Sequence, residues 1–60
     1  MIVTYTEKGK EFDFRRVDRV RVVRLLRWWR SGGLLYGYID RFNVVSIAVD
    51  DIIKCDGGTI

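Results

Sequence analysis

Apolar and polar residues alternate along most of this chain with the two-residue period typical of half-buried β-strands. Strand-forming residues fill positions 2–6, and a clear alternation runs over positions 10–15. Between them, positions 7–10 include the glycine that a tight turn requires. We therefore expect an N-terminal β-hairpin. Its predicted core-facing residues are Phe12 and Phe14, and its predicted solvent-facing residues are Glu11 and Asp13.

A second hairpin is predicted in the C-terminal half. Two apolar segments, 35–39 and 44–49, flank a polar stretch at 40–43 in which Asp40 and Asn43 can supply the turn. After the acidic pair at positions 50 and 51, residues 52–55 are long enough for one closing strand. In that strand, we expect Cys55 to point inward as a structural residue.

The stretch at 19–31 admits two interpretations. Val20 and Val22 share one parity and Arg19 and Arg21 the other, which favours a strand. This parity changes at Val22 and Val23, so the strand needs a bulge there before a turn at 31–33.

A helix explains the same stretch differently. At about 100° per residue, one side of a helix would collect the apolar residues Val22, Leu25, Leu26 and Trp29, with arginines on the other. Gly32 would then lie just beyond the end of the helix. The run of β-branched valines argues against this alternative, and we expect a strand.

The order of segments carries a resemblance. A glycine-turn hairpin is followed by a short strand at 17–22, an aromatic strand at 34–40, and Asp50 and Asp51 before the last strand. This order resembles small β-proteins of phages and mobile elements, several of which are SH3-like. The resemblance implies a mostly β fold, a small SH3-like barrel of about five antiparallel strands. The alternative is an α+β fold, ββαββ, with a basic helix at about 19–31. Such proteins largely lack an assigned role, so the resemblance implies no function.

Composition limits how this fold is stabilised. Sixty residues, 48% of them hydrophobic, fit a single small domain, which we place at 1–56 with a flexible tail at 57–60. One cysteine and no histidine leave neither an internal disulfide nor an ordinary zinc site. The lone cysteine fits a reducing cytoplasm. The first residues do not resemble a signal peptide, and arginines interrupt the apolar residues too often for a membrane span.

Charge is concentrated in one run. Seven of the eight arginines lie between Arg15 and Arg30, and the run ends beside two tryptophans. Guanidinium groups interleaved with indoles suit phosphates, acidic protein surfaces or anionic membranes. The predicted binding residues are Arg19, Arg21, Arg24, Arg27, Trp28, Trp29, Arg30, Tyr36 and Tyr38.

The sequence gives little support for catalysis. Without histidine, acid–base chemistry would depend on carboxylates, and the adjacent pair Asp50 and Asp51 is better explained as a turn or short helical cap. No metal site, catalytic residue or cofactor is predicted.

We therefore expect a non-enzymatic binding module. Its partner is predicted to be nucleic acid, with an acidic protein or a second copy of the chain as the alternative. A third possibility, membrane-surface binding, depends on the helical interpretation. Adjacent residues cannot both point inward, so one of the two tryptophans should be exposed at a rim.

Overall fold

The computed structural model describes residues 1–9, 11–12 and 15–60, with the backbone alone for 11–12. The described residues form a mostly β fold that includes one short 3₁₀ helix, Val49–Asp51. The strands are β1 (Ile2–Glu7), β2 (Glu11–Phe12), β3 (Arg15–Arg16), β4 (Arg19–Arg24), β5 (Arg27–Ser31), β6 (Leu34–Tyr38), β7 (Val44–Ala48) and β8 (Ile52–Asp56).

Two antiparallel three-stranded sheets make up the body of the protein. One has the order β4-β1-β8 and the other β5-β6-β7, while β2 and β3 pair as a separate short ribbon. The prediction of a mostly β fold is confirmed. Over the described parts of the chain, however, the two sheets do not close into one barrel.

The predicted N-terminal hairpin is wrong. Strand β1 is central in its sheet, paired with β4 on one side and β8 on the other, so β2 has no place beside it. Instead β2 pairs with β3, whose two arginines are exposed. A central strand needs apolar neighbours around Val3, and Val23 of β4 and Cys55 of β8 supply them. The predicted orientations of Glu11, Phe12, Asp13 and Phe14 lie outside the described side chains.

The strand expected over 19–31 is confirmed and the alternative basic helix is wrong, since this stretch forms β4 and β5. The bulge predicted at Val22 and Val23 is also wrong. These two residues pair in regular register with Thr4 and Val3. The interruption falls at Leu25 and Leu26, where the chain passes from one sheet to the other. The β-branched valines of β4 favour extended backbone, and partner strands on both sides of the junction satisfy the main-chain groups.

Main-chain hydrogen bonds fix the junction. The Leu25 N–H donates to the Met1 carbonyl at 2.7 Å, and the Met1 amino nitrogen donates to the Leu25 carbonyl at 2.9 Å. On the other side, the Leu26 N–H donates to the Tyr38 carbonyl at 2.8 Å. Consecutive residues therefore attach the chain to both sheets.

The core lies between the inner faces of the two sheets. In the described part of the chain, its fully buried members are Val3, Leu25, Leu35 and Ile47. Partly buried residues complete it, including Val23, Trp28 and Cys55, and Cys55 is thus inward as predicted. By contrast, Val20 and Val22 lie on the outer face of β4 and are exposed.

The predicted turns of the second half are confirmed. The loop at 40–43 joins β6 to β7, and β8 is the closing strand. Gly32 turns β5 into β6 with a φ of 60°, a left-handed conformation that favours glycine. Asp50 and Asp51 lie in the 3₁₀ helix, as a short helical cap before the closing strand.

The C-terminal residues 57–60 lie against the body of the protein. The Trp28 Nε1 donates to the Thr59 carbonyl at 3.1 Å. The flexibility of this segment stays a prediction.

Gly37→Ala should destabilise the fold. A methyl group at this position would lie 2.7 Å from both Cδ atoms of Leu25, which is fully buried and cannot move away freely. Overpacking of this kind costs about 1–3 kcal/mol. Equilibrium urea unfolding measures the loss.

Gly33→Ala is the matched control, because a methyl group there meets no atom within 4 Å. It should change the free energy of unfolding by less than about 0.5 kcal/mol. In a Leu25→Ala background, which lacks the three clashing carbons Cγ, Cδ1 and Cδ2, Gly37→Ala should cost less than it does in the wild type. Equal effects at both glycines would contradict this packing.

Candidate functional site

The arginine run does not form a single stripe. Neighbouring side chains on a strand point to opposite faces, so residues three apart do as well. Arg21 and Arg24 therefore lie on opposite faces of β4, and Arg27 and Arg30 on opposite faces of β5. On a helix, arginines three residues apart would lie roughly along one side. On strands, the same spacing places successive arginines on opposite faces.

Three aromatic side chains form a cluster on the outer face of the β5-β6-β7 sheet. Trp29 lies directly across from Tyr36, and their rings stack with centroids 5.5 Å apart and planes 14° apart. Tyr38, two residues along β6, is tilted against the same indole at 5.8 Å. Trp29 is nevertheless 45% exposed. We call Trp29, Tyr36 and Tyr38 the aromatic platform.

Arg27 lies at one end of the aromatic platform. It is on the same strand face as Trp29 and directly opposite Tyr38. Arg27, Tyr38 and the neighbouring loop enclose a surface cavity of about 390 Å³. The lining residues are Leu26, Arg27, Tyr38, Asp40 and Arg41. A cation thus lies on the same sheet face as the aromatic platform, opposite Tyr38.

The rest of this sheet face is uncharged. Alternation places Ser31, Leu34, Val44, Ser46 and Ala48 beside the aromatic platform. Among the described strands of this sheet, no carboxylate shares the face with Arg27. The guanidinium of Arg27 takes part in no ion pair within the described chain. An anion approaching this face therefore meets an unpaired cation.

The two tryptophans have different roles. Trp28 is on the inner face of β5, packs against the core and donates its indole N–H to the C-terminal segment. Trp29 is on the outer face. The prediction that one of the two indoles is exposed is confirmed, and Trp29 is that residue.

The remaining predicted arginines lie apart from the aromatic platform. Arg21 donates to a Glu7 carboxylate oxygen at 2.8 Å, and this hydrogen bond and charge raise the pKa of Arg21. Both side chains are largely exposed, so the pair adds little stability. Arg19 lies opposite Glu7 on the same face of β4.

Arg24 and Arg30 point elsewhere again. Arg24 is on the outer face of the β4-β1-β8 sheet, beside Ile2. Arg30 is on the opposite face of β5 from the aromatic platform, and its Nε donates to the Gly32 carbonyl at 3.0 Å. Of the nine predicted binding residues, the structure thus brings four together on one face: Arg27, Trp29, Tyr36 and Tyr38.

Sequence reasoning missed Arg41 as a member of the site. It lies in the loop at 40–43, which had been interpreted only as a turn. Asp40 holds this loop by accepting hydrogen bonds at 2.8 Å from the Phe42 and Asn43 amides and at 2.7 Å from the Asn43 side chain. The Asp-x-x-Asn spacing signals such a turn, but that Arg41 borders the cavity follows only from how the loop packs.

The described residues offer no metal site, since no group of three or more potential ligands is close enough together among them. Asp51 forms an ion pair with Lys8, in which Lys8 Nζ lies 3.5 Å from Asp51 Oδ1.

In the described portion of the chain, no helix is long and apolar enough to cross a membrane.

Comparison of the chain with protein-family models, with curated proteins and with solved structures finds no match in any of the three.

Asp40 should titrate below the ordinary aspartate pKa of about 3.9. Its hydrogen bond from the Asn43 side chain is the largest cause, followed by those from the Phe42 and Asn43 amides. Because the folded-state pKa is lowered, the loop is stabilised above the ordinary pKa. This contribution is lost as the pH falls through the lowered value.

Carboxyl-carbon NMR titration measures the pKa of Asp40. In Asn43→Ala the pKa should rise toward its ordinary value, because the largest cause of the shift is gone while the backbone donors remain. An unchanged midpoint in that variant would show that the side-chain hydrogen bond does not lower the pKa.

Proposed function

We propose that this protein is a non-enzymatic binding module that binds single-stranded nucleic acid on its aromatic platform. The observation that carries the proposal is the exposed Trp29, stacked on Tyr36 beside an unpaired Arg27, on a sheet whose described strands carry no carboxylate. Asp40 lines the adjoining cavity, but its carboxylate accepts hydrogen bonds from its own loop. Aromatic rings stack on bases of any sequence, and cations beside them bind the backbone phosphates.

The geometry supports this partner over a purely anionic one. A phosphate or carboxylate alone would need cations gathered together, but the arginine run is divided among several faces. A base needs an accessible aromatic ring to stack on, and Trp29 is 45% exposed. Arg27 and Arg41 at the cavity supply the nearby charge for the backbone. An acidic protein surface remains the alternative partner.

The SH3-like architecture is part of the same proposal. Two small antiparallel sheets packed around one core support it. A cytoplasmic location, and an origin in a phage or mobile element, are proposed on the sequence features alone.

The first test substitutes Trp29. Trp29→Leu keeps apolar volume but removes the π face, and should weaken binding of a fluorescein-labelled oligo-dT by about 1–3 kcal/mol. Trp29→Phe, which keeps a ring, should lose less. Fluorescence anisotropy gives the Kd, and thermal unfolding of each variant shows whether the fold is retained.

Polyglutamate serves as a competitor that carries charge without bases. If polyglutamate displaces oligo-dT as well as unlabelled oligo-dT does, or if Trp29→Leu binds like the wild type, stacking is not the basis of recognition. The acidic-protein alternative would then be favoured.

The second test compares two arginines by the same substitution. Arg27→Gln should weaken oligo-dT binding and lower the slope of log Kd against log salt concentration by about 0.7, the value for one lost phosphate contact on a single strand. Arg24→Gln makes the same charge change on the outer face of the other sheet and should have the smaller effect. Equal effects would indicate attraction by net charge rather than a site at the aromatic platform.

A further inference from the structure

Strand β7 is an open and uncharged sheet edge. In the described structure it pairs with β6 alone, and its sequence, Val44–Ala48, has no charged residue. The other three edges of the two main sheets all carry charge: β4 has three arginines, β5 has Arg27 and Arg30, and β8 has Lys54 and Asp56. Charged residues on an edge strand discourage pairing with another chain, and β7 lacks this protection.

Hydrogen bonds at the two ends of the β6-β7 ladder show which backbone groups face the open edge. The Ile39 N–H donates to the Asn43 carbonyl at 3.0 Å, and the Val49 N–H donates to the Gly33 carbonyl at 2.9 Å. In an antiparallel ladder, hydrogen-bonded and non-hydrogen-bonded pairs alternate. The residues of β7 bonded to β6 are therefore those at odd positions.

The even positions, Val44, Ser46 and Ala48, turn their N–H and carbonyl groups away from β6. The Ala48 carbonyl begins the 3₁₀ helix and is used there. The remaining outward groups are the N–H groups of all three residues and the carbonyls of Val44 and Ser46. They are spaced as a further antiparallel strand would require.

We propose that a second copy of this chain pairs with β7 through its own β7, antiparallel and centred on Ser46. This register places Ser46 opposite Ser46 of the partner subunit and Val44 opposite the partner subunit's Ala48. Both copies then present the same outward residues to each other, as a two-fold interface requires. Pairing of two copies at β4 or β5, whose charged residues are all arginines, would instead bring charges of one sign into the interface.

The register makes four backbone hydrogen bonds. Two join the Ser46 residues, each N–H donating to the other carbonyl. Two more run from each Ala48 N–H to the Val44 carbonyl across the interface. Because the contact is one strand wide, it buries little area, and we expect weak association that responds to concentration.

Pairing at β7 produces one six-stranded sheet. Residues directly opposite each other in an antiparallel ladder point to the same face, so both aromatic platforms lie on one side. The two Tyr36 residues are three strand spacings apart, about 14 Å. If the proposed function holds, the dimer offers a longer track for a single strand than either copy alone.

Sedimentation equilibrium across a concentration series tests the interface. The wild type should shift from its chain mass of 7.1 kDa toward twice that value as concentration rises. Ser46→Lys places two ammonium groups opposite each other at the centre and should raise the dissociation constant about tenfold or more. The matched control is Ser31→Lys. Ser31 is an exposed serine of β5 on the same sheet face as Ser46 but away from the β7 edge, so this variant should dimerise like the wild type.

A mixture of Ser46→Lys and Ser46→Glu adds a second readout. Each variant alone should be monomeric, while an equimolar mixture should regain the dimer mass, which a misfolded variant could not do. A wild type that stays monomeric up to about 1 mM overturns the proposal. The proposal is also overturned if Ser31→Lys and Ser46→Lys raise the dissociation constant equally, or if the mixture of Ser46→Lys and Ser46→Glu stays monomeric. Mass is measured without nucleic acid, so this result is separate from the failure or success of oligo-dT binding.

Discussion

The fold depends on the burial of Leu25 at the point where the chain leaves one sheet for the other. Its backbone is bonded to Met1, and that of Leu26 is bonded to Tyr38, so consecutive residues attach to different sheets. Its side chain fills the space over Gly37, where no Cβ would fit. Among the few fully buried residues of the described chain, Leu25 thus packs between the inner faces of the two sheets. The alternation of β4 continues through Leu25, breaks at the exposed residues Leu26 and Arg27, and resumes with Trp28 in β5.

The same junction decides what the basic run can do. Arginines at a spacing of three alternate between faces on each strand, so the local charge is spread around the molecule. One arginine, Arg27, falls beside the exposed indole of Trp29, and Arg21 is neutralised by Glu7. The candidate site is therefore an aromatic sheet face with limited positive charge. This arrangement favours stacking supported by phosphate contacts over binding by charge alone.

The outer face of the β5-β6-β7 sheet and the β7 edge share a physical cause. The β6-β7 hairpin is rich in apolar and small polar residues, with its charges confined to the loop at 40–43. The hairpin thus leaves the aromatic rings uncovered and leaves an edge without repulsive charge. Val20 and Val22 show that the other sheet also exposes apolar surface, but arginines line its β4 edge.

The sequence by itself determined the strands of the C-terminal half. Alternation, the Asp40–Asn43 turn and the glycine turn at Gly32 act over a few residues, and local pattern is enough to place them. It also determined that one of two adjacent tryptophans must be exposed. Tertiary structure decided which strands are neighbours, because β1 pairs with segments far along the chain and displaces the local partner predicted for it. It also decided which arginines join the aromatic platform, because the break in alternation falls at Leu26 and Arg27, where the chain passes between the sheets, and not at Val22 and Val23 where the local pattern predicts it.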